Sequence, residues 1–561
     1  MTVQLVSTQA QPAYFKSPQA LRWSLGVLVG CLVFFLLLHN PYWSRGGDSD
    51  VYLAIARNVA SGKGLTFNNN PVVVVPPLWP WVLGGVMKLT SSFALLKLVP
   101  ITCMTLSMVC WHRIGLRYVS PNISAAAVAL ATMLSQVFML ALWFHTEAFY
   151  CLVGSLSILV AMQINEGRRF WWRAMLLVIL CVATVLTRWS GVMWWALVAA
   201  ALLRGDWFSP FNRRRAVAYV SLVAVLASFL LMRVLLAAPQ ERIKLDYDLS
   251  LSVQYEVVNH PQTLLGWAQR ALALGSWFGA TLWQAARDWE LLRPLSLLTG
   301  LMVAALLTWR MICDVRKKDW LLLAMLAHIA LLAMDWPSVV ARYVVPMTPL
   351  ILLGMLRILI DNDGCWPTKP AWERLRFWGL RAFVLSIIIC NGVFYIVEVY
   401  IARQPDYYSH YQAGLNDNLI DIVKYLNDRH VPQSQIVMSR KDVNGNRARI
   451  TNGWIRAYNV LSGKSVRSLP QPLENQVVFD PGNTEALKPS DPKVLQWLQS
   501  QGVRYYLYRG VSRVSWHFEA GKERGLGRWR LYEIRDGAAE EIATTEQHDW
   551  PRHLPLLSPD E

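Results

Sequence analysis

Five charged side chains stand where this chain can least afford charge. Asp48 and Asp50 fall in Gly46-Gly47-Asp48-Ser49-Asp50-Val51-Tyr52, shortly after the first long apolar run. Glu147 follows His145-Thr146 at the junction of two apolar runs. Arg188 interrupts another run in Thr187-Arg188-Trp189-Ser190-Gly191, and Arg342-Tyr343 opens a further one ahead of Pro346 and Pro349. Ionisable groups beside hydrocarbon are costly and usually face a polar cavity or a partner. Carboxylates can accept a hydroxyl proton as general bases, and arginines grip phosphate oxygens through paired, charge-assisted hydrogen bonds. That combination suits a transfer in which a phosphate leaves. At a membrane interface it further suits a donor with a lipid tail and an exposed head group.

Each residue also has a plainer reading. Val51, Ile55 and Val59 recur at helical spacing, so acids at the start of an interfacial helix could simply cap it in solvent. Arg188 could snorkel from a loop, and Glu147 could belong to an internal ion pair that holds helices together. Asp48-Ser49-Asp50 has the D-x-D form of a metal motif, which a diphosphate leaving group would use; a monophosphate donor can manage with arginine alone. No cofactor is therefore required, and a divalent metal is an option. His260, near Asp246, Asp248 and Glu256, is a candidate extra ligand, against which stands the stronger reading of a solvated loop histidine.

The elements that must position these residues are transmembrane helices. Of the 561 residues 54% are hydrophobic and only 16% charged, with 27 Trp, a balance that excludes an ordinary soluble domain. The run 21–38 is long enough to cross a bilayer and lacks a cleavage site, so it is a retained first span. Ten further runs follow at 93–111, 123–143, 148–162, 174–186, 192–203, 216–236, 295–309, 321–334, 344–356 and 383–400. The predicted architecture is an α-helical polytopic membrane protein of about eleven spans.

Charge sets its orientation. Alternate short loops carry Arg113 and Arg117; Arg168, Arg169 and Arg173; Arg204, Arg213, Arg214 and Arg215; and Arg310, Arg316, Lys317 and Lys318. The intervening ones carry only Arg188 and Arg342. By the positive-inside rule the first set is cytoplasmic, as is the N-terminus, and the five charged residues all gather on the opposite face. The segments 78–89 and 263–282 would invert this parity as spans, so they are read as interfacial or partial entries within outer regions 39–92 and 237–294. The formal charge of +17 is accounted for by these loops, which argues against nucleic acid as a partner. The eight cysteines form no CxxC pair and none follows residue 400, so no disulfide framework is implied.

After the membrane module 1–403 the chain turns polar. Residues 404–540 read as a small extracytoplasmic α/β domain, with helices at 416–428 and 492–500 and strands at 435–439, 476–479, 503–509 and 529–534. The stretch from Ala538 is expected to be disordered, with a tail at 541–561.

These residues resemble the C-type (GT-C) membrane glycosyltransferases that use polyprenyl-phosphate sugars. The likeness is to protein mannosyltransferases, aminoarabinose transferases and rhizobial lipid A glycosyltransferases. Asp48-Ser49-Asp50-Val51-Tyr52, Ala54-Ile55-Ala56-Arg57 and Pro76-Pro77-Leu78-Trp79-Pro80 look like that group's first outer loop. Thr146-Glu147, Thr187-Arg188 and Arg342-Tyr343 with Pro346 look like its later elements, over about the first 350 residues. The group's acidic pair is often Asp-Glu, and some members have Lys before the Pro-Pro where this chain has Val75.

The resemblance implies an inverting transfer from a polyprenyl-phosphate sugar to a hydroxyl of a glycan, lipid or protein in the cell envelope. Asp48, or Asp50, would be the base. Tyr52, Glu147, Arg188, Arg342 and Tyr343 would bind donor and phosphate. A transporter or flippase of a lipid-linked or anionic solute is the alternative; it would place charge near the bilayer midplane and often shows paired halves.

Overall fold

A computed structural model describes residues 17–42, 48–67, 70–72, 75–164, 170–202, 279, 281–283, 293–317, 319–335, 344–360, 370–403, 417–438, 467–468, 492–509, 529–535 and 538–542. The predicted span at 216–236, the strand at 476–479, and Arg342, Tyr343, His260, Asp246, Asp248 and Glu256 lie outside these residues.

Helix α1, Pro18–Leu37, opens on Ser17, whose hydroxyl accepts from the Ala20 amide at 3.1 Å, and on a proline at its first position. Leu21, Leu25, Val29 and Val33 point outward while Val27, Cys31 and Phe35 pack inward, as a lipid-facing helix requires. Short helix α2, Ser49–Ala60, and the ribbon of β1 (Thr66–Phe67) and β2 (Asn70–Pro71) fill the first loop, followed by α3, Leu78–Met87. Then come α4 (Phe93–Gly115), α5 (Pro121–Met133), α6 (Ser135–Leu142), α7 (Glu147–Gln163), α8 (Phe170–Thr187) and α9 (Trp194–Leu202). The later membrane helices are α10 (Arg293–Arg316), α11 (Leu321–Asp335), α12 (Thr348–Ile360) and α13 (Pro370–Ala402).

Among the described residues four helices are long and apolar enough to cross a membrane, or five if the α5–α6 pair is one span; others are shorter apolar helices. The pair differs from the single span expected at 123–143. Leu134 has extended backbone (φ −65°, ψ 129°), and the helix turns there by 69°. Asn391 of α13 offers Oδ1 to the Ser135 amide at 3.4 Å, giving a partner to a backbone group that the break exposes. Helix α13 is longer than expected: at 33 residues, about 50 Å, it starts well before 383. Its extra length is polar-aromatic, with the Arg381 guanidinium 3.9 Å from the Phe377 ring centre, a pairing suited to a headgroup zone.

The C-terminal segments form α14 (Asp417–Asp428), α15 (Pro492–Ser500) and a five-stranded sheet of order β4-β3-β5-β6-β7. Its strands are β3 (Ile436–Met438), β4 (Arg467–Ser468), β5 (Tyr505–Arg509), β6 (Trp529–Arg535) and β7 (Ala538–Ile542). β3 runs parallel to β4 and β5, and the last three are antiparallel. Alternation divides the sheet: Ile436, Met438, Tyr505 and Leu507 join Ile422 and Leu426 of α14, while Val437, Tyr506 and Tyr532 pack with Val494 and Leu498 of α15. Strand β7 corrects the expectation of disorder from Ala538. Asp536-Gly537 between β6 and β7 is a hairpin signal, and Arg535 registers with Ala538.

One end of the bundle is closed by charge. Asp314 of α10 accepts from Arg310 Nε at 3.1 Å and from Arg357 Nη1 and Nη2 of α12 at 2.9 and 3.1 Å. Arg357 lies over the Tyr118 ring, and the Tyr118 hydroxyl reaches Asp319 at 3.4 Å, so α10, α12 and the α4–α5 turn meet there. Removing the shared carboxylate takes the common ion-pair partner from the buried Arg310 and the half-buried Arg357. Asp314→Ala should therefore cost about 3–5 kcal/mol, read as a lower thermal midpoint of the detergent-solubilised protein; an unchanged midpoint contradicts this.

Candidate active site

Helix α2 carries the acidic motif, and it is far from a solvated cap. Ser49, Asp50, Val51, Leu53, Ala54, Ile55, Ala56, Arg57 and Asn58 are all buried, Asp50 at 1% exposure. Asp48 occupies the N-cap position and is half-buried. Its side chain makes no capping bond to the helix, while its carbonyl accepts the Tyr52 amide at 3.1 Å. Tyr52 is half-buried against the same apolar cluster. Seven residues beyond Asp50, the Arg57 guanidinium is pushed down to about 10 by burial. Asn58 donates to the Thr66 carbonyl at 2.9 Å and so ties the end of α2 to the ribbon.

Helix α3 welds this motif to the bundle. At Gly84 a Cβ would lie 2.8 Å from the Ala56 carbonyl oxygen, so only glycine lets α3 cross α2 this closely. The fully buried Trp79 donates its indole N–H to the Phe144 carbonyl at 2.9 Å and stacks on Phe149 with ring centres 5.6 Å apart. Val51, Leu53, Ile55, Trp79, Leu83, Phe93, Leu96 and Phe144 form one buried cluster, which continues into α14 and one sheet face. The acidic loop, the start of α4, the start of α7 and the C-terminal sheet therefore stand at the same end of the molecule.

Three residues after Phe144, the Glu147 carboxylate accepts from Arg188 Nη1 at 2.5 Å, with His145 Nδ1 3.5 Å from its other oxygen. Arg188 reaches it from an extended residue between α8 and a 3-10 turn, Trp189–Met193. That turn folds tightly back: a Cβ on Gly191 would sit 2.2 Å from the Thr184 carbonyl oxygen. The Tyr150 hydroxyl donates to the Ser190 carbonyl at 3.1 Å, and Arg188 lies over the Tyr150 ring at 5.7 Å. Glu147 is 2% exposed and Arg188 16%, so the arginine presents the accessible part of the pair.

The ion pair is the structural role that the sequence left open for Glu147. It orients the guanidinium and does not remove Arg188 from chemistry, since arginine carries five N–H donors. Sequence reading passed over Lys97, a single cation in an apolar run that is fully buried on α4. Its ammonium holds Asn40 and the Tyr42 carbonyl. Among the described residues no three His, Cys, Asp or Glu side chains cluster to hold a metal.

No protein-family model and no curated protein sequence matches this chain. Solved structures do. ArnT from Cupriavidus metallidurans in the apo state aligns over 88% of this chain and 93% of its own, at TM-score 0.52 and 14% identity. The same protein bound to undecaprenyl phosphate aligns over 92% and 97%, at TM-score 0.51 and 14% identity. The apo oligosaccharyltransferase of Archaeoglobus fulgidus aligns over 88% of this chain and 70% of its own, at TM-score 0.50 and 12% identity. This chain therefore shares the fold of ArnT and of that oligosaccharyltransferase, with helices long and apolar enough to cross a membrane.

Proposed function

We propose that the chain is a membrane glycosyltransferase that moves a sugar from a polyprenyl-phosphate donor to an acceptor hydroxyl on the extracytoplasmic side, with inversion. The observation that carries this reading is the gathering of α2's acids and the Glu147–Arg188 pair at one end of a GT-C fold. ArnT has been crystallised with undecaprenyl phosphate, which supports a lipid phosphate as the carrier.

Charge supports the sidedness. Arg113 lies in the last turn of α4 and Arg117 just beyond it, at the end far from the acid-bearing cluster in which α4 starts. Arg316 and Lys317 end α10 beside the Asp314 network, which the Tyr118–Asp319 contact ties to that same far end. By the positive-inside rule that end is cytoplasmic, and the site and the C-terminal sheet face outward.

Asp48 is the better base of the two acids. It is half-buried at the helix start, where an acceptor can reach it, whereas Asp50 is enclosed within the first turn. An alcohol is too weak an acid to lose its proton beforehand, so Asp48 takes it as the oxygen bonds to the anomeric carbon. The sugar–phosphate bond breaks on the opposite face, and its electron pair leaves with the lipid phosphate. Arg188, aimed by Glu147, stabilises the negative charge that builds on that phosphate. Arg342 and Tyr343 share this role by resemblance alone, and Tyr52 lines the acid side.

Asp48→Asn should retain donor binding and lower transfer by about 10²–10⁴-fold. The assay uses membranes and a panel of radiolabelled polyprenyl-phosphate sugars; wild-type transfer in this variant removes the base. Arg188→Lys keeps the charge and loses the planar fork, so its turnover should fall at least about 10-fold. Turnover equal to wild type would separate Arg188 from the leaving phosphate.

A further inference from the structure

Lys97 lies near the start of α4, four residues after Phe93, and its side chain is fully buried. Its Nζ donates to Asn40 Oδ1 at 2.7 Å and to the Tyr42 carbonyl at 2.5 Å. Asn40 Oδ1 also accepts the Tyr42 amide at 3.2 Å, which closes the Asn40–Tyr42 turn on itself. One helical turn earlier, His39 Nε2 stands 2.8 Å from the Ala94 carbonyl oxygen. The chain leaving α1 is thus fastened to the outer turn of α4 by three polar contacts, with the Tyr42 ring in the same buried cluster as Phe93 and Leu96.

This fastening bears on the site through chain length. Asp48 is six residues beyond Tyr42, a tether of about 20 Å at full stretch. Downstream, α2 is clamped by α3 and the shared cluster. The acidic motif thus lies between two held points: the exit of α1, which Lys97 and the His39–Ala94 contact fasten, and the α2–α3 crossing. Two of the three donors of the Lys97 ammonium are committed to the exit of α1, so that turn cannot move away without breaking both bonds and leaving Asn40 Oδ1 with the Tyr42 amide.

We propose that Lys97 is a positioning residue for the acid side of the site, setting where Asp48 stands by holding Asn40 and Tyr42 to α4. The structural part stands alone, and the catalytic part rests on the proposed reading of Asp48 as the base. Lys97 acts through the loop rather than on the substrate, so its loss moves turnover and leaves donor affinity in place.

The test uses the full chain in nanodiscs of phosphatidylethanolamine and phosphatidylglycerol, comparing wild type with Lys97→Met, Asn40→Leu and Asn40→Asp. Hydrogen exchange should rise about 10-fold over Asp48–Ala60 in Lys97→Met and Asn40→Leu, and remain unchanged over Glu147–Gln163. In the transfer assay kcat should fall about 10- to 100-fold in these two variants. The donor KM should stay within about twofold, and Asn40→Asp, which keeps an acceptor oxygen, should retain turnover near wild type. Unchanged exchange over Asp48–Ala60 in both variants, or an equal rise across all helices, overturns the proposal. The expected exchange with no transfer from any donor by wild type leaves the tether standing and removes the transferase reading instead.

Discussion

The site depends on burial of a polar loop against the mouths of membrane helices. A loop rich in Gly, Pro and Asn has no intrinsic reason to hold two aspartates in place, and its backbone amides would ordinarily stay in water. Here an apolar cluster runs from Val51 through Trp79 to Phe144, and the Trp79 indole satisfies a carbonyl just ahead of α7. That 2.9 Å hydrogen bond is buried and flanked by the Phe149 ring, and it ties α3 to the chain entering the helix that carries Glu147. Removing water from both also strengthens every charge interaction between them.

Within that frame the two halves of the site are built differently. On the arginine side, glycine and hydroxyl chemistry make a tight reversal after α8: Gly191 lies under the Thr184 carbonyl, and Tyr150 holds Ser190. The reversal leaves Arg188 pointing at Glu147, and the carboxylate offsets the desolvation of the guanidinium. On the acid side, positioning comes from packing around α2 and from the polar tether to α4. The C-terminal segments join the same cluster through Ile422 and Leu426 of α14 and Leu507 of β5. A separate ion network, Arg310–Asp314–Arg357, closes the opposite end of the bundle.

Much of this was legible in residue patterns. Apolar length located α1 and α4, and Pro and Gly punctuation located α15 and β6 to within a residue or two. The pairing of Glu147 with Arg188 was foreshadowed by two charges that each had no cheap place to go. Other features depended on contacts distant in sequence. The bend at Leu134 needs Asn391, more than two hundred residues away, and the burial of Asp50 needs α3 to fold over α2. Lys97 was passed over because its partners lie on the preceding helix exit. Strand β7 was missed although its Asp-Gly signal is local, because its small and charged residues do not look like a strand until β6 supplies a partner.

The most direct measurement is a cryo-electron microscopy structure of the full chain with undecaprenyl phosphate. The account predicts phosphate density at the Arg188 guanidinium, in a cleft that the Asp48 end of α2 also borders. Phosphate bound at the Arg310–Asp314–Arg357 end, or a cleft at Arg188 closed off from Asp48, would contradict it.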